Sequence, residues 1–209
     1  MREYPVPTDS QISDWFVRLL FNNEPSYLTA AIRLAYRDLS RTIHGIAGHD
    51  PNGALRNNAS QVLFEAIRSV GTSSLTSDAF DGWHKATSDA LLEVYRIGGF
   101  PHFVVGQAQK WINMATKYCA LLGDRAVPSG RHLFRVGHVP VDSFLISALA
   151  REDPPLPVDL RFEAWSRLTS YEQYMCFQQW VRKAYSPFSP LAVEFYLWQE
   201  EASARANAT

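Results

Sequence analysis

Apolar residues recur at three-and-four spacing along nearly the whole chain, a period that admits helices and little else. From Ser26 to Ile46 the series Leu28, Ala31, Ile32, Ala35, Leu39, Ile43 and Ile46 marks one face of an amphipathic helix, with Ser26 placed to cap it. The same period predicts a helix over 59–70 closed by Gly71, and one over 82–97 stopped by Gly98-Gly99 with Pro101 beyond. A further helix spans 107–122 and ends at Gly123. Pro140 and Asp142 stand where VDSFLISALA should begin another, since Pro suits a first helical position and Asp a first turn. After the proline-rich EDPPLPVD, Ser170 with Gln173 makes a capping-box pattern, and Ser189-Pro190 opens a last helix whose tail, SARANAT, is expected to fray. No alternating run exceeds HLFRV, and there is no internal repeat. The expected fold is all-α: one helical domain over 1–209, folded as a two-lobed bundle around a central cleft.

Composition narrows the function classes. No apolar run is long enough to span a bilayer, and MREYPVPTDSQ lacks the apolar core of a signal peptide. Only Cys119 and Cys176 occur, without CxxC or paired Cys/His spacing, which points to a reduced, cytoplasmic protein with no structural zinc or iron–sulfur cluster. The six histidines offer no metal triad, and His44 and His49 in HGIAGH read as loop or capping residues. Neither metal nor cofactor is expected. A formal net charge of −1 gives no overall basic footprint for nucleic acid. Its distribution is uneven, however: DRAVPSGRHLFRVGHVP sets Arg125, Arg131 and Arg135, with His132 and His138, against one Asp.

Within VVGQAQKWINMATKY, Lys110 sits in the first turns of an otherwise apolar helix, beside Trp111 and Met114. Only four lysines occur against sixteen arginines, and reactive-amine chemistry is something Arg does not do. Residues 82–123 read as helix, Gly/Pro turn, glycine, helix, the plan of a helix–hairpin–helix motif, in which backbone N–H groups face a DNA phosphate.

That stretch, with HVPVDSFLI downstream, resembles the helix–hairpin–helix DNA glycosylase superfamily, and within it the archaeal 8-oxoguanine glycosylase branch, across roughly residues 98–150. The resemblance implies that Lys110 is the catalytic lysine and Asp142 the catalytic aspartate, 32 residues on, with Gln109 and Lys117 matching the branch's Gln-Lys pair and its second lysine. It further implies excision of a modified base by attack at C1′, with or without an associated AP-lyase step. A carboxylate favours the positive charge that develops on the sugar. The amine must be unprotonated to attack, and apolar surroundings favour that form. The partner implied is double-stranded DNA with a flipped base, bound by a monomer. Gly106, Gln107, Gln109, Lys117, Arg125, Arg131, Arg135 and His138 are the expected DNA contacts, and Trp111, Met114, Phe103 and Trp83 the expected base pocket. His138 is read equally as a packing residue. Met114 stands where the branch has an aromatic, which opens a second substrate class beside 8-oxoguanine: the bulky hypermodified bases of phage DNA, and with them an antiviral rather than a repair role.

Two other classes compete. RDLSRTIH resembles the signature of HEPN ribonucleases, which implies RNA cleavage by Arg37 and His44. A non-catalytic helical interaction module requires nothing of Lys110 or Asp142. Arg33, Arg37 and Arg41, at i, i+4 and i+8, read first as a solvated face beside Asp38 and second as a stripe that tracks phosphates.

Overall fold

The computed structural model describes residues 8–21, 24, 26–70 and 75–207, which hold ten α-helices, four short 3-10 turns and no strand. Gly71, expected to close a helix, lies outside the described residues. The all-α expectation is met. In chain order the α-helices are α1 (Asp9–Leu20), α2 (Tyr27–Ser40), α3 (Ile46–His49), α4 (Ala54–Val70) and α5 (Ser77–Ile97), then α6 (Val105–Leu122), α7 (Leu133–Val136), α8 (Ser143–Leu149), α9 (Tyr171–Ala184) and α10 (Pro190–Asn207).

Caps explain where the boundaries shift. Ser26 Oγ accepts the Thr29 N–H at 3.2 Å, so α2 starts as expected. It stops at Ser40 rather than 46, because Thr42 Oγ1 bonds back to the Leu39 carbonyl at 2.7 Å and Gly45 turns the chain at φ 85. Helix α4 begins five residues before the expected position 59. Its first N–H groups, on Leu55 and Arg56, are taken by the Asp50 carboxylate at 3.1 and 3.0 Å, a cap too distant in sequence to read as one. HLFRV is helical from Leu133, and SARANAT continues α10 to Asn207 instead of fraying from Ser203.

Helix α6 organises the bundle. Every residue from Val105 to Lys117 is buried, as in a helix enclosed on all sides. The buried apolar residues form two clusters. One is built on α2, α4, α5 and α6, and it includes the indole of Trp111. The other gathers Val139 and Val141 with residues of α8 and α9, and Val105 of α6 joins it. Enclosure obliges the polar side chains of α6 to find partners, because an unpaired buried polar group costs about 1–3 kcal/mol. Those partners hold the second cluster against the first.

Candidate active site

The clamp that builds the site is a pair of amides. Val139-Pro140-Val141 runs without helix or strand pairing, so its backbone groups need side-chain partners. Gln109 accepts the Val141 N–H at 3.1 Å and donates to the Val141 carbonyl at 2.9 Å. Gln178 of α9 does the same for Val139, at 3.0 and 2.9 Å. A primary amide has one acceptor and one donor side, the complement of an extended residue. Because Gln109 adjoins Lys110 and Val141 adjoins Asp142, this clamp brings the lysine and the aspartate together.

Asp142 is the N-cap of α8. One carboxylate oxygen accepts the Leu145 N–H at 2.9 Å, while the other accepts a hydrogen bond from Lys110 Nζ. The two side chains are only 6% and 15% exposed. Both line a pocket of about 1060 Å³. The resemblance implied that the amine and the carboxylate act on one sugar, which would lie between them. Instead they touch, and the open space is the pocket they both line.

On α6, Lys110, Met114 and Lys117 face the pocket at i, i+4 and i+7. Opposite stand Phe144 of α8 and Phe195 and Trp198 of α10, with the Phe144 and Trp198 rings near-parallel at 6.2 Å. Lys117 Nζ lies 5.3 Å from the Trp198 ring centre and donates to the buried Glu194 at 2.8 Å. Burial pushes the Glu194 carboxyl above its ordinary value, although Lys117 pulls the other way. From α2 come Arg37, Arg41 and Asp38, and Asp38 accepts the Tyr118 hydroxyl at 2.6 Å. Four basic side chains and two carboxylates therefore line the pocket of a chain whose net charge is −1.

Several expected contacts fall elsewhere. The Gly106 N–H is donated to the Leu168 carbonyl at 2.8 Å, and a β-carbon there would meet the Trp165 carbonyl oxygen at 2.0 Å. This glycine serves close backbone packing, and it has no free N–H for a phosphate. Gln107 caps its own helix by accepting the Val104 N–H at 3.0 Å, and it donates to the Thr42 carbonyl at 2.7 Å. Gln109 is consumed by the clamp. Arg125 pairs with Asp14 at 2.5 Å, and Arg131 and Arg135 are exposed and do not line this pocket. Of the proposed base-pocket residues only Met114 is in place. Trp111 is fully buried and donates to the Ile32 carbonyl at 3.0 Å. Phe103 stacks on Tyr95 at 3.9 Å, and Trp83 donates to the Ala66 carbonyl at 3.1 Å. Trp111 and Phe103 are core residues and Trp83 packs half-buried against that core, drawn inward by the area they remove from water.

His138 resolves as a packing residue. It is fully buried, with Nδ1 2.7 Å from the Tyr174 hydroxyl and Nε2 2.7 Å from Asp81. Arg182 completes the cluster by donating to Asp81 at 2.7 Å, and the His84 ring stacks on Tyr174 at 5.0 Å. Burial holds both histidines below their ordinary value. Burial also raises Asp81, but the hydrogen bonds from Arg182 and His138 outweigh it and hold that carboxyl well below the usual range. Cys119 is closed off too, its thiol pushed up to about 12 by burial.

Sequence reasoning missed Trp198, Phe144 and Phe195. Phe195, Trp198 and Gln199 fall at i, i+3 and i+4 on α10, a readable stripe, but nothing in the sequence says that it meets α6. His44 is exposed beyond α2 and lines none of the pockets, whereas Arg37 lines this one. Among the described residues no helix is long and apolar enough to cross a membrane, and no group of three or more His, Cys, Asp or Glu could hold a metal ion. The chain matches no protein-family model, no curated protein and no solved structure.

Proposed function

We propose that the chain is a DNA glycosylase in which Lys110 and Asp142 act on the sugar of a nucleotide extruded from the duplex. One observation carries the reading: the buried amine–carboxylate pair opens on a pocket with cations and aromatic rings in its lining. An extruded base needs stacking surfaces, its phosphates need cations, and its C1′ needs a nucleophile beside an anion.

Asp142 takes the ammonium proton of Lys110 as the sugar enters. The freed lone pair attacks C1′, the C1′–N bond breaks, and its electron pair leaves on the base nitrogen, which is then protonated. The attached nitrogen gives up a proton, its lone pair forms the C1′=N bond as the C1′–O4′ bond breaks, and O4′ takes up a proton, leaving a protonated Schiff base on Lys110. Removal of a proton from C2′ then expels the 3′ phosphate, and water releases the lysine. Once Asp142 has passed that proton to the departing base nitrogen, the restored anion stabilises the cationic Schiff base. The target is an oxidised purine, as a repair enzyme would take, or a bulky hypermodified base, as an antiviral enzyme would take. Flexible Met114 and the pocket's volume favour the bulky one.

The test is base release from duplexes carrying 8-oxoguanine, uracil, alkylated bases or glucosylated pyrimidines. Release of one of these by the wild-type chain, lost in Lys110→Gln and Asp142→Asn, is the expected result. Cleavage of RNA that depends on His44 and ignores Lys110 would replace this reading with a ribonuclease.

A further inference from the structure

A second pocket of about 640 Å³ lies between α2 and α4. Its lining includes Arg33, Arg37 and Arg56 together with Asn57, Ser60 and Gln61, and no carboxylate. Three guanidinium groups without a lining acid make an anion site, because each is charged at any physiological pH and presents a fork suited to phosphate oxygens.

The stripe on α2 links this pocket to the first. Arg33 lines only the second, Arg37 lines both, and Arg41 lines only the first. Residues four apart on one helix face are about 6 Å apart along its axis, so the three guanidinium groups form a row leading from one pocket to the other. Their existing partners leave capacity for a ligand. Arg33 is paired with Glu24, and Arg56 lies 5.9 Å from the Tyr36 ring centre. No ion pair of Arg37, Arg41 or Arg56 occurs among the described residues. All four arginines are exposed.

Resting on the glycosylase reading, we propose that this row carries the phosphates of the strand whose base occupies the first pocket. The second pocket receives the adjoining nucleotide of that strand. Arg37 holds the phosphate between the two, and Arg33 and Arg56 hold the next. Asn57, Ser60 and Gln61 supply hydrogen-bonding groups for the nucleotide's edge without demanding one base. The surface expected from sequence to grip the backbone, Arg125 to Arg135, lines neither pocket.

The probe is a duplex with one tetrahydrofuran abasic analogue, bound by the full chain carrying Lys110→Gln, so that neither base identity nor turnover enters. Affinity is measured over a series of salt concentrations. Each lost phosphate contact takes about 0.9 from the slope of log affinity against log salt. Arg33→Gln with Arg56→Gln is expected to flatten the slope by nearly two, and Arg131→Gln with Arg135→Gln to leave it unchanged. A photoreactive thiothymidine beside the abasic site is expected to crosslink to an α2 or α4 peptide. An unchanged slope in the first double variant, or crosslinks confined to the 125–135 segment, would overturn the strand path and leave base excision standing. Failure to bind the duplex under any condition would overturn both.

Discussion

Two buried polar clusters lie on either side of the Val139–Val141 segment, and they differ in one respect. Around Asp81, His84, His138, Tyr174 and Arg182, the ring nitrogens of His138 and the Asp81 carboxylate meet partners within the protein, and none of these residues lines the pocket that Lys110 and Asp142 share. Around Lys110 and Asp142, a largely buried pair stands at the wall of an open pocket. A closed, satisfied cluster specifies how helices meet. An open one keeps charged groups where a ligand can reach them, which is the arrangement chemistry requires. The lowered Asp81, His84 and His138 all belong to the first cluster.

The contrast can be broken by substitution. The largest effect is expected at the open cluster, where Asp142→Asn keeps a helix-capping oxygen but removes the charge. Single-turnover base release per folded molecule should fall by about 10²–10³, the range for losing one preorganised electrostatic group, with some loss of stability because Lys110 is left without its counter-ion. The closed cluster should behave in the opposite sense. Asp81→Ala strands Arg182 and His138 and should cost about 3 kcal/mol in denaturant unfolding, with the rate per folded molecule retained. An Asp81 variant that folds well and is catalytically dead would dissolve the distinction.

Smaller effects sharpen it. Gln109→Leu removes the clamp on Val141 and should lose about 2 kcal/mol of stability together with activity, because Asp142 loses its alignment. Trp198→Ala removes a ring from the open pocket and should weaken substrate binding by about 10- to 100-fold, the worth of one stacking contact of about 1–3 kcal/mol. Stability against pH near neutrality tests the Asp81 cluster. Burial lowers both histidines in the fold, so around and below the ordinary value of 6.5 the unfolded chain takes up protons more readily than the fold does. Stability should therefore fall as pH drops through 6.5, by up to about 1.4 kcal/mol per unit for each histidine. Asp81, held below its ordinary 3.8, adds a further loss at lower pH. Replacing His138 by Gln should flatten the upper part of that profile.

The helices were legible because their signals are local: period, cap and stop all lie within a few residues of one another. Asp50 capping α4 from outside it, and Thr42 cutting α2 short, escaped because those bonds depend on turns that no period announces. The Lys110–Asp142 pair was legible only through resemblance, since periodicity cannot bring residues 32 apart together. Its neighbours were misread for a physical reason. Gln109, Gly106 and Trp111 looked available for DNA because their residue types suit it, but most of α6 is buried, and burial spends these groups on the protein's own backbone; His138 is spent on Tyr174 and Asp81. The pocket's other wall, Trp198 and Phe144, depends on how α8 and α10 dock against α6, and that is tertiary information.

The most direct measurement is borohydride reduction of the wild-type chain during turnover on a duplex bearing its target base, followed by peptide mapping of the adduct. The account requires a covalent sugar on the peptide containing Lys110, absent from Lys110→Gln. An adduct on another residue, or base release by Lys110→Gln at the wild-type rate, would contradict it.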